Sequence, residues 1–101
     1  MDNGGTALSP AQMDRATGAM VGLAVGNALG SGYAFQPKPH PLEVRMLPGG
    51  LGPYAVGEWA DDTAMAIPIL QAAAEGKDLL DPATQNEVAA VWAGWAAGAK
   101  D

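Results

Sequence analysis

The longest run of predominantly apolar positions lies in the first third of the chain, between residues 10 and 30. The preceding segment Ser9-Pro10-Ala11-Gln12 is a capping box with Pro at the first helical position, which is typical of a helix N-terminus. We therefore predict a helix that begins at Pro10 and runs to about Gly30. Its large apolar side chains do not form one narrow stripe, so we expect burial on nearly all sides. They are Met13, Met20, Leu23, Val25 and Leu29.

Glycines recur at intervals of four along this predicted helix, at positions 18, 22, 26 and 30. This spacing places them on one side of the helix, where they leave a groove without side chains. Each costs roughly 0.5–1 kcal/mol relative to alanine, so the groove requires a compensating contact. Two contacts fit: close packing against another helix of a core, and direct approach of a ligand near the Gly30 end. A membrane-dimer role does not fit, because crossing a bilayer takes about 20 apolar residues.

Residues 31–59 show no sustained hydrophobic period and contain five prolines. We predict a long Pro/Gly-rich loop, with one short strand or turn near residues 42–46. Loops of this length are uncommon in compact domains unless they are functional or disordered. The single histidine of the chain, His40, lies between two prolines of this loop, and we expect it to be a surface side chain rather than a catalytic base.

A second helix is predicted directly after the loop. We expect Asp61 or Asp62 to cap its N-terminus and Gly76 to end it. Pro68 lies inside this helix. Since proline removes a helical hydrogen bond and its ring clashes one turn back, we expect Pro68 to kink the helix or to shift its start.

A third helix is predicted to open at Asp81-Pro82 or at the box Thr84-Gln85-Asn86-Glu87. Its apolar positions follow the spacing i, i+3, i+4 and i+7, which indicates a packing face. They are Val88, Val91, Trp92 and Trp95. We expect the Trp92/Trp95 face to be exposed and, together with the glycine groove, to promote self-association.

Composition narrows the class of protein. The chain has 101 residues, no cysteine and a formal net charge of −6. An acidic chain without a Lys/Arg cluster is not suited to the phosphate backbone of nucleic acids. No basic region of a secretory signal is present at the start, and the lack of cysteine is compatible with a reducing compartment, so we expect a cytoplasmic protein without a membrane partner.

Size and composition also bound the core. Much of the 49% hydrophobic content is alanine, and the chain contains 14 glycines and 8 prolines. Such residues bury little apolar surface each, so we do not expect a robust independent core. We expect residues 1–8 to be a disordered tail and residues 9–101 to be an incomplete part of a larger fold.

Asp61 and Asp62 are adjacent carboxylates in the stretch EWADDTAM. One Asp is enough to cap a helix, at about 0.5–2 kcal/mol. The second adds repulsion between like charges, which a hard divalent cation such as Mg²⁺ would relieve through its preference for oxygen ligands. Helix capping and metal binding are both open from these residues alone.

The acidic pair belongs to the second of two separated motifs. The first is the glycine-spaced helix ending in GLAVGNALGSG, and the second is GEWADDTAMAI, after the Pro/Gly-rich loop. Their order and spacing resemble the N-terminal portion of the ADP-ribosylglycohydrolase family, which includes the dinitrogenase reductase-activating glycohydrolase. That family commonly has G-x-x-x-G-D-A-L-G and W-T-D-D-T-x-M at these places. The resemblance spans roughly residues 15–95.

The resemblance implies an all-α fold of orthogonally packed helices that is larger than this chain. It also implies a pair of Mg²⁺ or Mn²⁺ ions held between an N-terminal T-D-D and a C-terminal D-x-D-T, and hydrolysis of the bond joining ADP-ribose to a protein side chain or small acceptor. By position, Asp61 and Asp62 would be the N-terminal metal ligands and the catalytic residues of this chain. ADP-ribose or an ADP-ribosylated protein would be the partner.

Three positions depart from the family pattern: Ala60 replaces a Thr ligand, Asn27 replaces Asp, and Ala34 replaces an acidic residue of the GAPVEF-like loop. No D-x-D-T segment occurs in the 101 residues. We therefore expect this chain to supply the first half of a dinuclear site and to be inactive alone. The alternative is a catalytically inactive or truncated helical module that binds ADP-ribose-like ligands or a protein partner.

Overall fold

Three α-helices make up the main regular structure in the computed structural model, which describes residues 8–50 and 52–100. They are α1 (Pro10–Ser31), α2 (Asp61–Ala74) and α3 (Pro82–Ala96). The long segment between α1 and α2 contains one 3-10 turn, Pro41–Glu43, and no strand within the described residues. The all-α prediction is confirmed, and of the two alternatives for residues 42–46 the structure has the turn. The predicted disordered tail, residues 1–8, lies outside the described residues except for Leu8, which belongs to no helix.

Two of the three predicted N-terminal caps, those of α1 and α3, are present. At α1, the Gln12 amide donates to Ser9 Oγ over 3.1 Å and the Ser9 amide donates to Gln12 Oε1 over 2.8 Å, which completes the capping box. At α3, the Asp81 carboxylate accepts from the Ala83 amide over 3.0 Å, with Pro82 as the first helical residue. The start at Asp81-Pro82 is therefore the one adopted.

Helix α2 is terminated at Gly76, as predicted, and Gly76 has a φ of 77°. The Gly76 amide donates to the Ala73 carbonyl and the Lys77 amide donates to the Ala72 carbonyl, each over 3.0 Å. This pair of bonds is the Schellman motif, in which glycine takes the left-handed conformation without strain. Pro68 is buried inside α2 and does not shift the start of the helix.

Helix α2 is the central element, because it contacts both α1 and α3 while α1 and α3 do not contact each other. The buried apolar residues are few and mostly small: Ala28, Tyr54, Ala60, Ala72 and Val88. The radius of gyration is 16.4 Å, against about 13 Å for a compact domain of this length. The described residues thus form a flat layer rather than a closed core.

Helix α1 is exposed along most of its length, with only Ala28 and Ser31 buried. The expectation of burial on nearly all sides is wrong for the described residues, because α2 and the loop reach only the C-terminal end of α1. A Cβ built at position 18, 22, 26 or 30 would meet nothing within 4 Å outside its own helix. Close helix packing therefore does not account for the glycine spacing within this part of the chain.

The packing between α2 and α3 includes a tryptophan hydrogen bond. Trp92 Nε1 donates to the Met65 carbonyl over 2.8 Å, and Val88 is buried beside it in the same stripe. Trp92 and Trp95 are both half-buried, which corrects the expectation of an exposed tryptophan face. The two rings are not fully exposed because α2 covers part of this stripe.

The loop after α1 folds back onto the end of that helix. Gly50 has a φ of 80°, and a Cβ built on it would lie 1.8 Å from the Ser31 carbonyl oxygen. Tyr33 Oη bonds both the amide and the carbonyl of Arg45, each over 3.0 Å. These contacts fix the loop against the region where α1 meets α2. Within the described residues, no helix has the length and hydropathy needed to cross a bilayer.

Candidate functional site

An open cleft of about 430 Å³ lies along the C-terminal half of α1 and reaches the start of α2. Its floor is the glycine side of α1, and its wall includes Asp62 from α2 and Ala34 from the loop. The lining residues are Gly22, Leu23, Gly26, Asn27, Gly30, Ser31, Ala34 and Asp62. Since side chains are missing from the glycine side, a ligand can approach the α1 backbone there. The structure thus brings the glycine groove and one of the two predicted site residues together.

Asn27 connects α1 to the first turn of α2. Its Oδ1 accepts from the Ala60 amide over 2.9 Å, from the Thr63 amide over 3.2 Å, and from Thr63 Oγ1 over 2.9 Å. The first four amides of a helix have no partner inside it, and an oxygen that accepts from them acts as a cap. Asn27 therefore caps α2 from a neighbouring helix, 33 residues earlier in the chain.

The prediction that Asp61 or Asp62 caps α2 is wrong. The N-cap residue is Ala60, no side chain at that position makes a cap bond, and both acids are inside the first turn. The reason is that Asn27 already bonds the amides that a local cap would take. The acids still lie at the positive end of the helix dipole, which favours their charge by about 0.3–1 kcal/mol each.

The carboxylates of Asp61 and Asp62 make no hydrogen bond and no ion pair with any described residue. Asp61 is half-buried and Asp62 is exposed at the cleft. Two adjacent carboxylates without a cation partner repel each other, and repulsion grows where water is partly excluded. Their chemistry, hard oxygen donors with free lone pairs, fits Mg²⁺ or Mn²⁺.

The described residues supply only part of a metal ligand set. Within residues 8–50 and 52–100, no group of three or more Asp, Glu or His side chains lies together as a cation would require. Ala60, which is 2% exposed, contributes a methyl group where an oxygen would be needed. Any further carboxylate or imidazole ligands would come from outside these residues.

Glu58, the other acid of the EWADDTAM stretch, differs from the pair because it is neutralised by a cation. Its carboxylate accepts from the Ala55 amide over 2.8 Å and from Lys100 Nζ over 2.8 Å. The Ala55 amide first, and then Lys100, hold the pKa of Glu58 below its ordinary value. Lys100 also lies 5.7 Å from the centre of the Tyr54 ring. Glu58 therefore ties the segment before α2 to the end of the described chain.

Sequence reasoning found the two acids but missed how they are held. It identified Asn27 only as a departure from a family pattern, and it did not predict that buried Ser31 donates toward the Glu58 carbonyl, over 3.4 Å. One signal was available: Asn27 is a polar residue in an otherwise apolar stretch of α1. His40 is exposed and its Nδ1 accepts from the Leu42 amide at the 3-10 turn, in agreement with its predicted surface position.

The sequence profile of the ADP-ribosylglycohydrolase family matches residues 8–100. Two relatives named ADP-ribosylarginine hydrolase Tri1 are similar to this chain. The one from Pseudomonas putida (strain GB-1) is 46% identical over 61 residues, which cover 59% of this chain and 16% of the relative. The one from Serratia proteamaculans (strain 568) is 47% identical over 57 residues, 54% of this chain and 15% of the relative.

The ADP-ribosyl-[dinitrogen reductase] glycohydrolase of Rhodospirillum rubrum is 36% identical over 88 residues, which cover 82% of this chain and 30% of that relative. The chain thus spans less than a third of the length of each of these relatives. No solved structure shows significant similarity to the chain.

Proposed function

Because the chain belongs to the ADP-ribosylglycohydrolase family, we propose that it supplies the first half of a site that hydrolyses the bond between ADP-ribose and a protein side chain. The observation that carries the proposal is the pair of adjacent carboxylates, which have no hydrogen-bond or ion-pair partner among residues 8–50 and 52–100, with Asp62 facing a cleft whose glycine side lacks side chains. The relatives named as ADP-ribosylarginine hydrolases favour arginine as the acceptor. The reaction would take place in the cytoplasm, and the acidic chain does not suit nucleic acid.

Asp61 and Asp62 are the residues that would hold divalent cations, Mg²⁺ or Mn²⁺, through their carboxylate oxygens. When bound, such ions would orient the ribose and activate a water molecule for attack. Two other parts of the chain would support binding. The glycine side of α1 admits the ligand, and Asn27 fixes the first turn of α2, which carries the acids.

The test uses a protein that carries this chain together with the second half of the site, because we expect the chain to be inactive alone. Each acid is replaced singly, as Asp61→Asn and Asp62→Asn, and Mn²⁺ binding and release of ADP-ribose from an ADP-ribosylated arginine substrate are measured. We expect each variant to lose roughly 100-fold or more of the activity, as loss of a group that orients the reaction does. Helix content should be nearly unchanged, since neither carboxylate makes a hydrogen bond or ion pair with a described residue.

Asp14→Asn is the matched control, because Asp14 is exposed on α1 and far along the chain from the acidic pair. It removes the same charge and should leave both Mn²⁺ binding and hydrolysis unchanged. Full activity in the Asp61 and Asp62 variants, or equal losses in the control, would contradict the assignment of the site.

A second candidate function is a non-catalytic module that binds ADP-ribose-like ligands, and buried Ala60 favours it because no oxygen is available there. The experiment compares Ala60→Thr with Ala60→Val, which have nearly the same shape and differ in one hydroxyl. If the site is catalytic, the Thr variant should bind Mn²⁺ more tightly and hydrolyse faster than the Val variant. Calorimetric binding of ADP-ribose to the wild type without hydrolysis in any of these proteins would favour the module.

A further inference from the structure

The first turn of α2 is attached to one face of α1 by two polar side chains. Asn27 and Ser31 lie four residues apart on α1 and so point from the same side of the helix. Asn27 accepts from the Ala60 and Thr63 amides, which flank the two acids. The Ser31 hydroxyl lies 3.3 Å from the Ala28 carbonyl oxygen of its own helix and 3.4 Å from the Glu58 carbonyl oxygen, so its single proton is shared between the two. The segment from Glu58 to Thr63 is therefore bound on both sides of Asp61 and Asp62.

The orientation of the Asn27 amide is fixed by its partners. Backbone N–H groups can only donate, so the Ala60 and Thr63 amides require an oxygen at this point, and the Thr63 hydroxyl donates to the same atom. Thr63 is 1% exposed, so its hydroxyl has no water to replace this acceptor. Loss of the Asn27 oxygen would leave three donors without a partner at the start of α2.

From this geometry we infer that Asn27 is a positioning residue for the Asp61 and Asp62 carboxylates: it caps α2 from α1 and holds the turn that carries both acids, with Asp62 at the cleft, without adding a third negative charge. The inference rests on the proposed function for the role of the acids, but the capping itself does not. Asn27 lines the same cleft as Asp62, so a charge placed on residue 27 would act directly on the site.

The neutral amide has a consequence for cation affinity. An Asn27→Asp variant keeps an oxygen acceptor for the three donors and adds one negative charge beside the acidic pair. A unit charge about 6 Å from a divalent ion changes its affinity by roughly tenfold in the dielectric of water, and less in salt. We therefore expect Asn27→Asp to bind Mn²⁺ roughly three- to tenfold more tightly, and Asn27→Ala to bind it more weakly than the wild type.

The experiment combines two measurements on the purified protein and its variants. Hydrogen exchange of the metal-free protein reports whether Asn27 caps α2: exchange at the Ala60 and Thr63 amides should accelerate at least tenfold in Asn27→Ala and stay near wild type in Asn27→Asp. Titration with Mn²⁺, followed by the electron paramagnetic resonance signal of the free ion, gives the affinity. Asn86→Ala is the matched control, because Asn86 is exposed on α3 and should change neither result.

The outcomes separate the inference from the proposed function. Unchanged exchange in Asn27→Ala would overturn the inference, whatever the cation affinity. Accelerated exchange with unchanged Mn²⁺ affinity would also overturn it, since Asn27 would then stabilise the helix without positioning the acids. Accelerated exchange in Asn27→Ala, with no Mn²⁺ bound by the wild type, would instead overturn the metal site of the proposed function and leave the cap established.

Discussion

Replacing Gly50 with alanine should destabilise the junction between the loop and α1 for two separate reasons. The residue has a φ of 80°, a left-handed conformation in which a Cβ costs roughly 1–2 kcal/mol. The new Cβ would also lie 1.8 Å from the Ser31 carbonyl oxygen, well inside van der Waals contact. Because that atom belongs to the backbone of α1, relief requires a shift of the helix end or of the loop, and such overpacking costs about 1–3 kcal/mol more.

Gly49→Ala is the matched control for this prediction. Gly49 has nearly the same φ, 83°, but its Cβ would meet nothing within 4 Å. The control should therefore lose only the roughly 1–2 kcal/mol of the left-handed conformation. The difference between the two variants, about 1–3 kcal/mol, isolates the close approach of the loop to α1.

Urea unfolding followed by tryptophan fluorescence measures both variants. With a slope of about 1–3 kcal/mol per molar urea, the expected difference moves the midpoint of Gly50→Ala below that of Gly49→Ala by roughly 1 M. Equal midpoints would refute the reasoning, since they would show that Gly50 does not touch the Ser31 backbone and is required only for its φ.

Two further predictions concern polar contacts away from the cleft. Trp92→Phe removes the hydrogen bond to the Met65 carbonyl and should lower the free energy of unfolding in urea by about 0.5–1.5 kcal/mol; an equal loss in Trp95→Phe would show that ring volume, not the bond, is responsible. The pKa of Glu58 is depressed below its ordinary value of 4.5, so its contribution to stability is full above that value and is lost as pH falls through the folded pKa. Between about pH 6 and pH 3, the free energy of unfolding in urea should fall less in Glu58→Gln and in Lys100→Met than in the wild type. A pH profile equal to that of the wild type would contradict this assignment.

Much of the helical structure could be predicted because its signals are local. Ser9 and Gln12 form the cap of α1, Asp81 caps α3, and Gly76 ends α2, each through bonds between residues no more than five positions apart. Capping and termination of this kind depend on backbone groups within one or two turns, which a sequence pattern records directly.

The candidate site was predicted only in part. The adjacent acids could be identified as a candidate because two carboxylates exceed what one helix cap needs. Their connection to Asn27 could not be predicted. Asn27 caps α2 from a position 33 residues before Ala60, and no sequence period links the two positions. The local expectation of an Asp cap failed for the same reason: a side chain from another helix had already taken the amides.

The sequence by itself determined where α1 begins and α2 ends, which residues carry charge, and that two carboxylates stand together at the start of α2. Only the tertiary structure decided what surrounds them. The return of the loop onto α1 is made possible by Gly50, and it brings Asn27 and Ser31 against the segment that carries Asp61 and Asp62. The physical reason is range: helix signals act over a few residues, whereas the position of the acids depends on contacts between segments about 30 residues apart.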